Sequence, residues 1–228
     1  MPASKEITQG GFSLVELSVV LIVIGIILGA VSIGKDVHRN AQNQRIASEF
    51  IQGWLLAYDS YKTATGVTLA DNVSLPTGCV NRQCATDGVP GTTLCDKELR
   101  DAMLKVGIGL PNGRAEGRED RYVYLDSNGL PHDLKICFQN VRWKEPGDTS
   151  GSYVSRSRNA MTIEGLTPEL ANFLDHYFDT VVDARFGNFR ENTLANSNST
   201  TKSPWSKTST DIDENQIAEL TGWMKMVL

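Results

Sequence analysis

The chain has 228 residues, a mass of 25.0 kDa and a formal net charge of −5. This suits one medium-sized domain and excludes the basic surplus typical of nucleic-acid-binding proteins. The sequence contains no glycine-rich phosphate loop, no H-E-x-x-H and no G-x-S-x-G motif, and its histidines are scattered at positions 38, 132 and 176. We therefore expect a protein that is not an enzyme and does not bind nucleic acid.

A long apolar segment follows a short polar start. Residues 1–11 are too few and too polar to fold, and they are interpreted as a leader peptide. From Leu17 to Gly34 the chain carries no charge, which approaches the roughly 20 apolar residues needed to span a bilayer. Residues 12–34 are therefore predicted to form a transmembrane and assembly helix. Glu16 lies near its start, where a carboxylate in apolar surroundings requires a cationic partner.

Three features of this segment resemble the N-terminus of the type IV pilin family, which includes pilins and the pseudopilins of type II secretion. They are the Gly10-Gly11-Phe12 junction, Glu16 four residues after Phe12, and the unbroken apolar run, so that the resemblance extends from Gly10 to about Lys35. It implies that a prepilin peptidase cuts after Gly11 and methylates the new terminal amine of Phe12. It also implies that Glu16 pairs with the terminal amine of a neighbouring subunit during assembly.

The resemblance further implies a location and a set of partners. The precursor would be a single-pass protein of the bacterial inner membrane with its head in the periplasm, and would later enter a pilus or pseudopilus filament. Its partners would be the prepilin peptidase, other pilin or pseudopilin subunits, and the pilus or secretion assembly machinery with its cytoplasmic ATPase. The sequence leaves open whether a pilus, a secretion or a DNA-uptake system uses the chain, and whether the subunit is major or minor.

Two other interpretations of the apolar segment stay open. It could be a plain signal anchor for a membrane-anchored binding or catalytic domain, with Glu16 at the membrane interface. It could also be an ordinary secretory signal sequence cleaved near residues 30–32, which would release an exported domain. Against the second interpretation, the apolar run exceeds the usual 7–15 residues, and Lys5 in the preceding region is balanced by Glu6.

Residues 35–65 are predicted to continue the helix as an amphipathic segment. No proline or clear turn signal occurs between Phe12 and about Thr63, although a break near Gly29 or Gly34 is conceivable, and Gly66 is expected to end the helix. Apolar residues recur at the spacings of a helix that packs on a globular domain: Val37, Ala41, Ile46, Phe50, Trp54, Tyr58 and Tyr61, widened by Ala47, Ile51 and Leu55.

Residues 66–228 are predicted to form a globular head of α+β class, in which the long helix packs on a small antiparallel sheet with extra C-terminal helices. All four cysteines lie in the head, and an even number in an exported domain favours two disulfides. Three connectivities are possible, and of these we favour a small Cys79–Cys84 loop together with Cys95–Cys137. Zinc is disfavoured, because only one cysteine pair is closely spaced. The candidates are Cys79, Cys84, Cys95 and Cys137.

The middle of the head contains a helix and a hairpin. Residues 96–106 are predicted to be a short helix, followed by a loop over residues 107–120. Two β-rich runs, at residues 121–125 and 134–138, flank an Asp-Ser-Asn-Gly turn and predict a β-hairpin. A polar loop is predicted over residues 144–159.

Two helices and a loop are predicted after this. Thr167-Pro168 marks a helix start, and the acidic residues that follow at four-residue spacing are interpreted as a solvated face. A calcium site on that face is the weaker alternative, and we expect no other cofactor. Residues 187–210 are predicted to be a flexible surface loop, and residues 211–227 an amphipathic helix docked on the core. The calcium candidates are Asp175, Asp179 and Asp183.

Overall fold

The computed structural model describes residues 13–149, 151–206 and 219–226. The chain divides into two compact units, Met1–Ala41 and Gln42–Leu228. The predicted leader at residues 1–11 and the residue after it lie outside the described residues.

The helical start of the chain was predicted correctly over its described length. Helix α1 spans Leu14–Arg45 with no break at Gly29 or Gly34, and it passes through a π-helical segment at Ile46–Ile51 into helix α2, Gln52–Thr65. Gly66 ends the run with a left-handed φ of 74°, a conformation that glycine adopts without steric cost. Within the part of the chain that the structure describes, no helix is both long enough and apolar enough to cross a membrane.

The second unit is built on an antiparallel sheet of five strands in the order β1-β2-β3-β5-β4. Helix α3 (Asp96–Lys105) and helix α4 (Pro168–Asp179) are the further α-helices among the described residues. The α+β class is therefore confirmed. The strands are β1 (Arg121–Leu125), β2 (Pro131–Pro146), β3 (Tyr153–Leu166), β4 (Phe189–Glu191) and β5 (Leu220–Lys225).

The predicted hairpin is confirmed as β1 and β2. Asp126 closes its turn, because one carboxylate oxygen accepts the backbone N–H groups of Asn128 and Leu130, each at 2.8 Å. Gly129 supplies the positive φ, 82°, that the turn requires. This local chemistry sets the register in which Tyr122 faces Leu134.

The main core lies between the helical segment that covers residues 46–65 and one face of the sheet. The aromatic side chains of Trp54 and Tyr58 are buried, and the Tyr58 ring stacks on that of Phe138 in β2 at 5.3 Å between centroids. The predicted apolar stripe of the helix is thus confirmed where it meets the sheet. Burial of each such side chain stabilises the fold by roughly 1.5–3 kcal/mol.

Both disulfides have the favoured connectivity. Cys79 joins Cys84 across five positions and Cys95 joins Cys137 across 42, so no cysteine thiol remains free. The first bond closes a small loop, and the second ties the residue before α3 to the centre of β2.

The polar loop predicted over residues 144–159 is wrong. Strand β2 runs to Pro146 and β3 begins at Tyr153, so the connection between them covers only residues 147–152. Several polar side chains of these strands pair across the sheet. Arg158, for example, donates two hydrogen bonds to Glu145, at 2.8 and 2.6 Å.

The helix predicted over residues 211–227 is also wrong in its described part. Leu220–Lys225 is strand β5, which pairs with both β3 and β4. Its burial alternates, with Leu220, Gly222 and Met224 turned inward, which is the period of a strand rather than of a helix. The remainder of that predicted helix, residues 211–218 and 227, lies outside the described residues.

The segment predicted to be a flexible surface loop, residues 187–210, is partly buried where it is described, and residues 207–210 are not described. Its buried residues are Phe189, Arg190, Glu191, Ala195 and Trp205. It contributes β4 and a buried tryptophan, Trp205, whose ring lies 4.9 Å from that of Phe189. On the sheet face opposite the helical run, the Arg190 guanidinium lies 4.4 Å from the Trp143 ring. Ala195 fills the same cluster, so this segment forms part of the core.

Candidate functional site

The described chain begins with a reciprocal hydrogen-bond pair between Ser13 and Glu16. The Glu16 backbone N–H donates to Ser13 Oγ at 3.2 Å, and the Ser13 backbone N–H donates to Glu16 Oε2 at 2.9 Å. The Ser13 carbonyl accepts the first helical bond, from the Leu17 N–H at 3.2 Å. Ser13 is therefore the N-cap of α1, and the pair is a capping box.

The capping box determines where Glu16 directs its charge in the single chain. Within the described chain its carboxylate contacts the backbone of its own first turn rather than a cationic side chain. Glu16 was predicted as a functional residue from the sequence, but the role of Ser13 as the N-cap of α1 was not. The signal for it was the Ser-x-x-Glu pattern directly before an apolar run.

Apart from Glu16 and Ser18, the side chains of α1 between Leu14 and Leu28 are apolar, and they are exposed on every side of the helix. Leu14 is 86 % exposed, and its apolar neighbours along this stretch are between about half and two-thirds exposed. An exposed apolar surface of this extent marks a site of interaction with other apolar surroundings. The other large exposed apolar residues here are Val15, Leu17, Val19, Val20, Leu21, Ile22, Val23, Ile24, Ile26, Ile27 and Leu28.

The polar residues of this stretch are satisfied locally. Ser18 Oγ donates to the Val15 carbonyl at 2.8 Å, within the same turn, and Ser13 and Glu16 satisfy one another. Local satisfaction of this kind lowers the cost of placing hydroxyl and carboxylate groups in surroundings without water.

Gly11 and Phe12, the predicted cleavage and methylation residues, lie outside the described residues. Both functions therefore stay predictions at those positions. The described helix begins at Leu14, two residues after Phe12.

The acidic face predicted on α4 is not solvated, because Asp175 and Asp183 are buried. One Asp175 oxygen, Oδ2, accepts the Trp205 indole N–H and the Asp183 backbone N–H, both at 2.7 Å. Asp183 in turn accepts the backbone N–H of Arg185 at 3.0 Å. These carboxylates organise the segment that follows α4.

Asp179 has the same structural role nearer the surface. Its Oδ2 accepts the backbone N–H groups of Asn188 and Phe189, each at 2.7 Å, at the start of β4. Among the described residues, no group of three or more histidine, cysteine, aspartate or glutamate side chains could hold a metal ion. A calcium site at Asp175, Asp179 and Asp183 stays a prediction.

Burial raises the pKa of Asp175 to about 6, and the negative charges of Asp179 and Asp183 act in the same direction. The hydrogen bonds from Trp205 and Asp183 oppose this shift. A carboxyl group with such a pKa exchanges its proton near neutral pH.

A histidine between two carboxylates is the arrangement most similar to an acid–base site. His132 Nε2 lies 3.1 Å from Asp126 Oδ2, and Nδ1 lies 3.4 Å from Glu219 Oε1. Each ring nitrogen thus faces a carboxylate oxygen. The two contacts connect the β1–β2 turn, which contains Asp126, to Glu219, the residue before β5. We interpret this group as structural.

Comparison with known families identifies one segment. Residues 8–32 match the model of the prokaryotic N-terminal methylation motif, and this match includes the Gly11–Phe12 junction, the capping box and most of the exposed apolar surface of α1. The searches of curated proteins and of solved structures gave no significant match.

Proposed function

Residues 8–32 carry the methylation motif that is the signature of type IV pilins and pseudopilins, and from this we propose that the chain is the precursor of a filament subunit. The filament is a type IV pilus or a type II secretion pseudopilus. The single observation that carries the proposal is this motif, placed on a helix whose apolar surface is exposed.

The motif defines the expected processing. A prepilin peptidase cuts the Gly11–Phe12 bond and methylates the amine that becomes free on Phe12. The chain then starts one residue before the N-cap of α1, so the new cationic amine is close in sequence to the Glu16 carboxylate.

The apolar surface of α1 supports a passage from lipid to filament. In the precursor, the inner membrane covers the side chains between Leu14 and Leu28. In the filament, the same side chains pack against helices of neighbouring subunits. Close packing replaces lipid contacts at little cost, because both surroundings are apolar.

Glu16 gives this assembly its register. A carboxylate surrounded by apolar helices is strongly unfavourable unless it is paired. The Phe12 amine of a neighbouring subunit supplies the pair at one axial position, and a slipped subunit would leave both charges without partners. The ion pair between Glu16 and the Phe12 amine therefore contributes more to the axial alignment of the subunits than to their affinity for one another.

The second unit suits an extracytoplasmic structural role. Its two disulfides favour an oxidising compartment such as the periplasm. Two of its buried polar groups hold irregular segments in place: Asp175 in α4 accepts the Trp205 indole N–H, and Asn140 in β2 accepts the backbone N–H of Ala85. On this proposal the subunit contributes a packing surface and performs no chemistry.

The direct test of assembly replaces the charge of Glu16 while keeping its shape. Glu16→Gln is expected to be processed normally, because glutamine also completes a capping box, but to abolish filaments in the native host. Ser18→Ala is the matched control in the same turn and should assemble normally. Normal filament formation by Glu16→Gln would contradict the proposed role of Glu16.

A further inference from the structure

We infer that the Ser13–Glu16 capping box fixes the start of helix α1 at Leu14, after the Gly11–Phe12 bond in sequence, and that Ser13 is thereby a positioning residue for leader removal. The inference rests on the proposed function, because it concerns the bond that the proposal assigns to the peptidase. It adds a role for a side chain that neither the motif nor the charge of Glu16 explains.

Two acceptors, the Phe12 carbonyl and Ser13 Oγ, compete for one hydrogen-bond donor, the Glu16 N–H. If α1 began one turn earlier, the Glu16 N–H would donate to the carbonyl of Phe12, four residues before it. In the structure that N–H donates to Ser13 Oγ instead, at 3.2 Å. Extension of the helix through Phe12 must therefore break this bond.

The donor one residue before Glu16 is the N–H of Val15, and it concerns the bond that the peptidase cuts. In an extended helix, the Val15 N–H would donate to the carbonyl of Gly11, which is the carbonyl that a peptidase must attack. A carbonyl held in a helical hydrogen bond, with the following turn packed over it, is poorly accessible to catalytic groups. In the structure α1 starts at Leu14, and the first described carbonyl in its hydrogen-bond pattern is that of Ser13, two residues after Gly11 in sequence.

The energetics favour the observed start. A serine N-cap stabilises a helix by about 1 kcal/mol relative to alanine. Glycine is about 1 kcal/mol less favourable than alanine inside a helix, and two glycines, Gly10 and Gly11, stand directly before Phe12. The Ser13 cap and these glycines act in the same direction, and each opposes the growth of the helix into the cleavage junction.

The test is the rate of leader removal in the native host, followed on pulse-labelled precursor for variants of Ser13. Ser13→Ala removes the cap and is expected to slow processing about five-fold, the factor that corresponds to about 1 kcal/mol. Ser13→Thr and Ser13→Asn both retain a capping side chain and should be processed at close to the wild-type rate. Ser18→Ala controls for loss of a hydroxyl in the same turn, and all variants are compared at equal membrane content.

Each result separates the inference from its alternatives. An unchanged rate for Ser13→Ala would overturn the inference and leave the proposed function intact. Rescue by threonine but not by asparagine would also overturn it, because the peptidase would then be reading the hydroxyl itself rather than the cap. A wild-type chain that is never cut would overturn the proposed function together with the inference.

Discussion

The indole N–H of Trp205 donates to Asp175 Oδ2 at 2.7 Å, and both side chains are buried. This bond fastens the segment after β4 to helix α4, two parts of the chain that are 30 positions apart. Burial makes the ionised form of the Asp175 carboxyl group unfavourable. The stability of the fold therefore includes a contribution that depends on the protonation of Asp175.

The first prediction concerns the pH dependence that results. Because the pKa of Asp175 is raised to about 6 in the folded chain, protonation favours the folded state. Its stabilising effect is complete below the ordinary value of 3.8 and is lost as the pH rises through about 6. The processed protein in detergent should show a thermal midpoint that falls over this range.

Asp175→Asn tests the cause of this fall. Its amide oxygen can accept both existing hydrogen bonds and carries no charge, so the variant should lose most of the pH dependence and be at least as stable as the wild type at pH 7. Asp59→Asn, at an exposed position of α2, is the control. Equal slopes for all three proteins would show that Asp175 is not responsible.

The second prediction concerns the bend in β3 at Gly165. This residue has a φ of 80°, and a Cβ there would overlap the carbonyl oxygen of Asp133 in β2. Its own carbonyl accepts the Tyr124 hydroxyl at 3.0 Å. Gly165→Ala is expected to destabilise the head by about 2–4 kcal/mol in chemical denaturation, because both the backbone conformation and the strand contact oppose a side chain.

A matched substitution makes that test specific. Gly109→Ala adds the same methyl group at a loop position where nothing lies within 4 Å of the new atom. It should change the free energy of unfolding by less than about 0.5 kcal/mol. Similar effects at the two positions would refute the strain assigned to Gly165.

The third prediction ranks the two disulfides. A cross-link stabilises mainly by restricting the unfolded chain, and more so for a longer loop. Replacing Cys95 and Cys137 by alanine, which opens a loop of 42 positions, should cost about 4 kcal/mol. The same change at Cys79 and Cys84, with a separation of five, should cost about 2 kcal/mol. The reverse order in chemical denaturation would mean that native packing rather than loop length decides.

Elements with a strong local signal could be predicted from the sequence. The helical run needed only its apolar spacing and the stop at Gly66, and the first hairpin needed only its Asn-Gly turn. Helix α4 was predicted from its capping residues, Thr167 and Pro168. In the structure Thr167 accepts the Leu170 N–H at 3.3 Å, and Pro168 occupies the first helical position.

The remaining strands lacked such a signal, because their partners are distant in sequence. The Asn159 side chain accepts the amide of Asn140 at 2.8 Å, so a polar residue in β3 is buried and satisfied by another strand. Strand β5 was predicted as part of a helix, because the apolar residues Leu220, Trp223 and Met224 recur at helical spacing. It also contains Gly222, a residue that is unfavourable inside a strand. The structure gives its reason, since a side chain there would overlap the Phe189 ring. Tertiary contacts of this kind are not visible in local periodicity.

The candidate site shows a different limit. Glu16 fits both a membrane carboxylate that awaits a partner and the second half of a capping box, and both descriptions use the same sequence. The Ser-x-x-Glu pattern is compatible with the second description, and the positions of Ser13 Oγ and Glu16 Oε2 establish it. The two are compatible, because the carboxylate can exchange a backbone donor for an amine when a neighbour arrives.

The most direct test of the central claim is the intact mass and N-terminal sequence of the protein purified from its native membrane. The account predicts a chain that starts at N-methylated Phe12. A chain that starts at Ile33 would instead indicate an ordinary signal sequence, and one that still carries residues 1–11 would indicate a plain anchor. Either of these would contradict the proposal that the protein is a processed filament subunit.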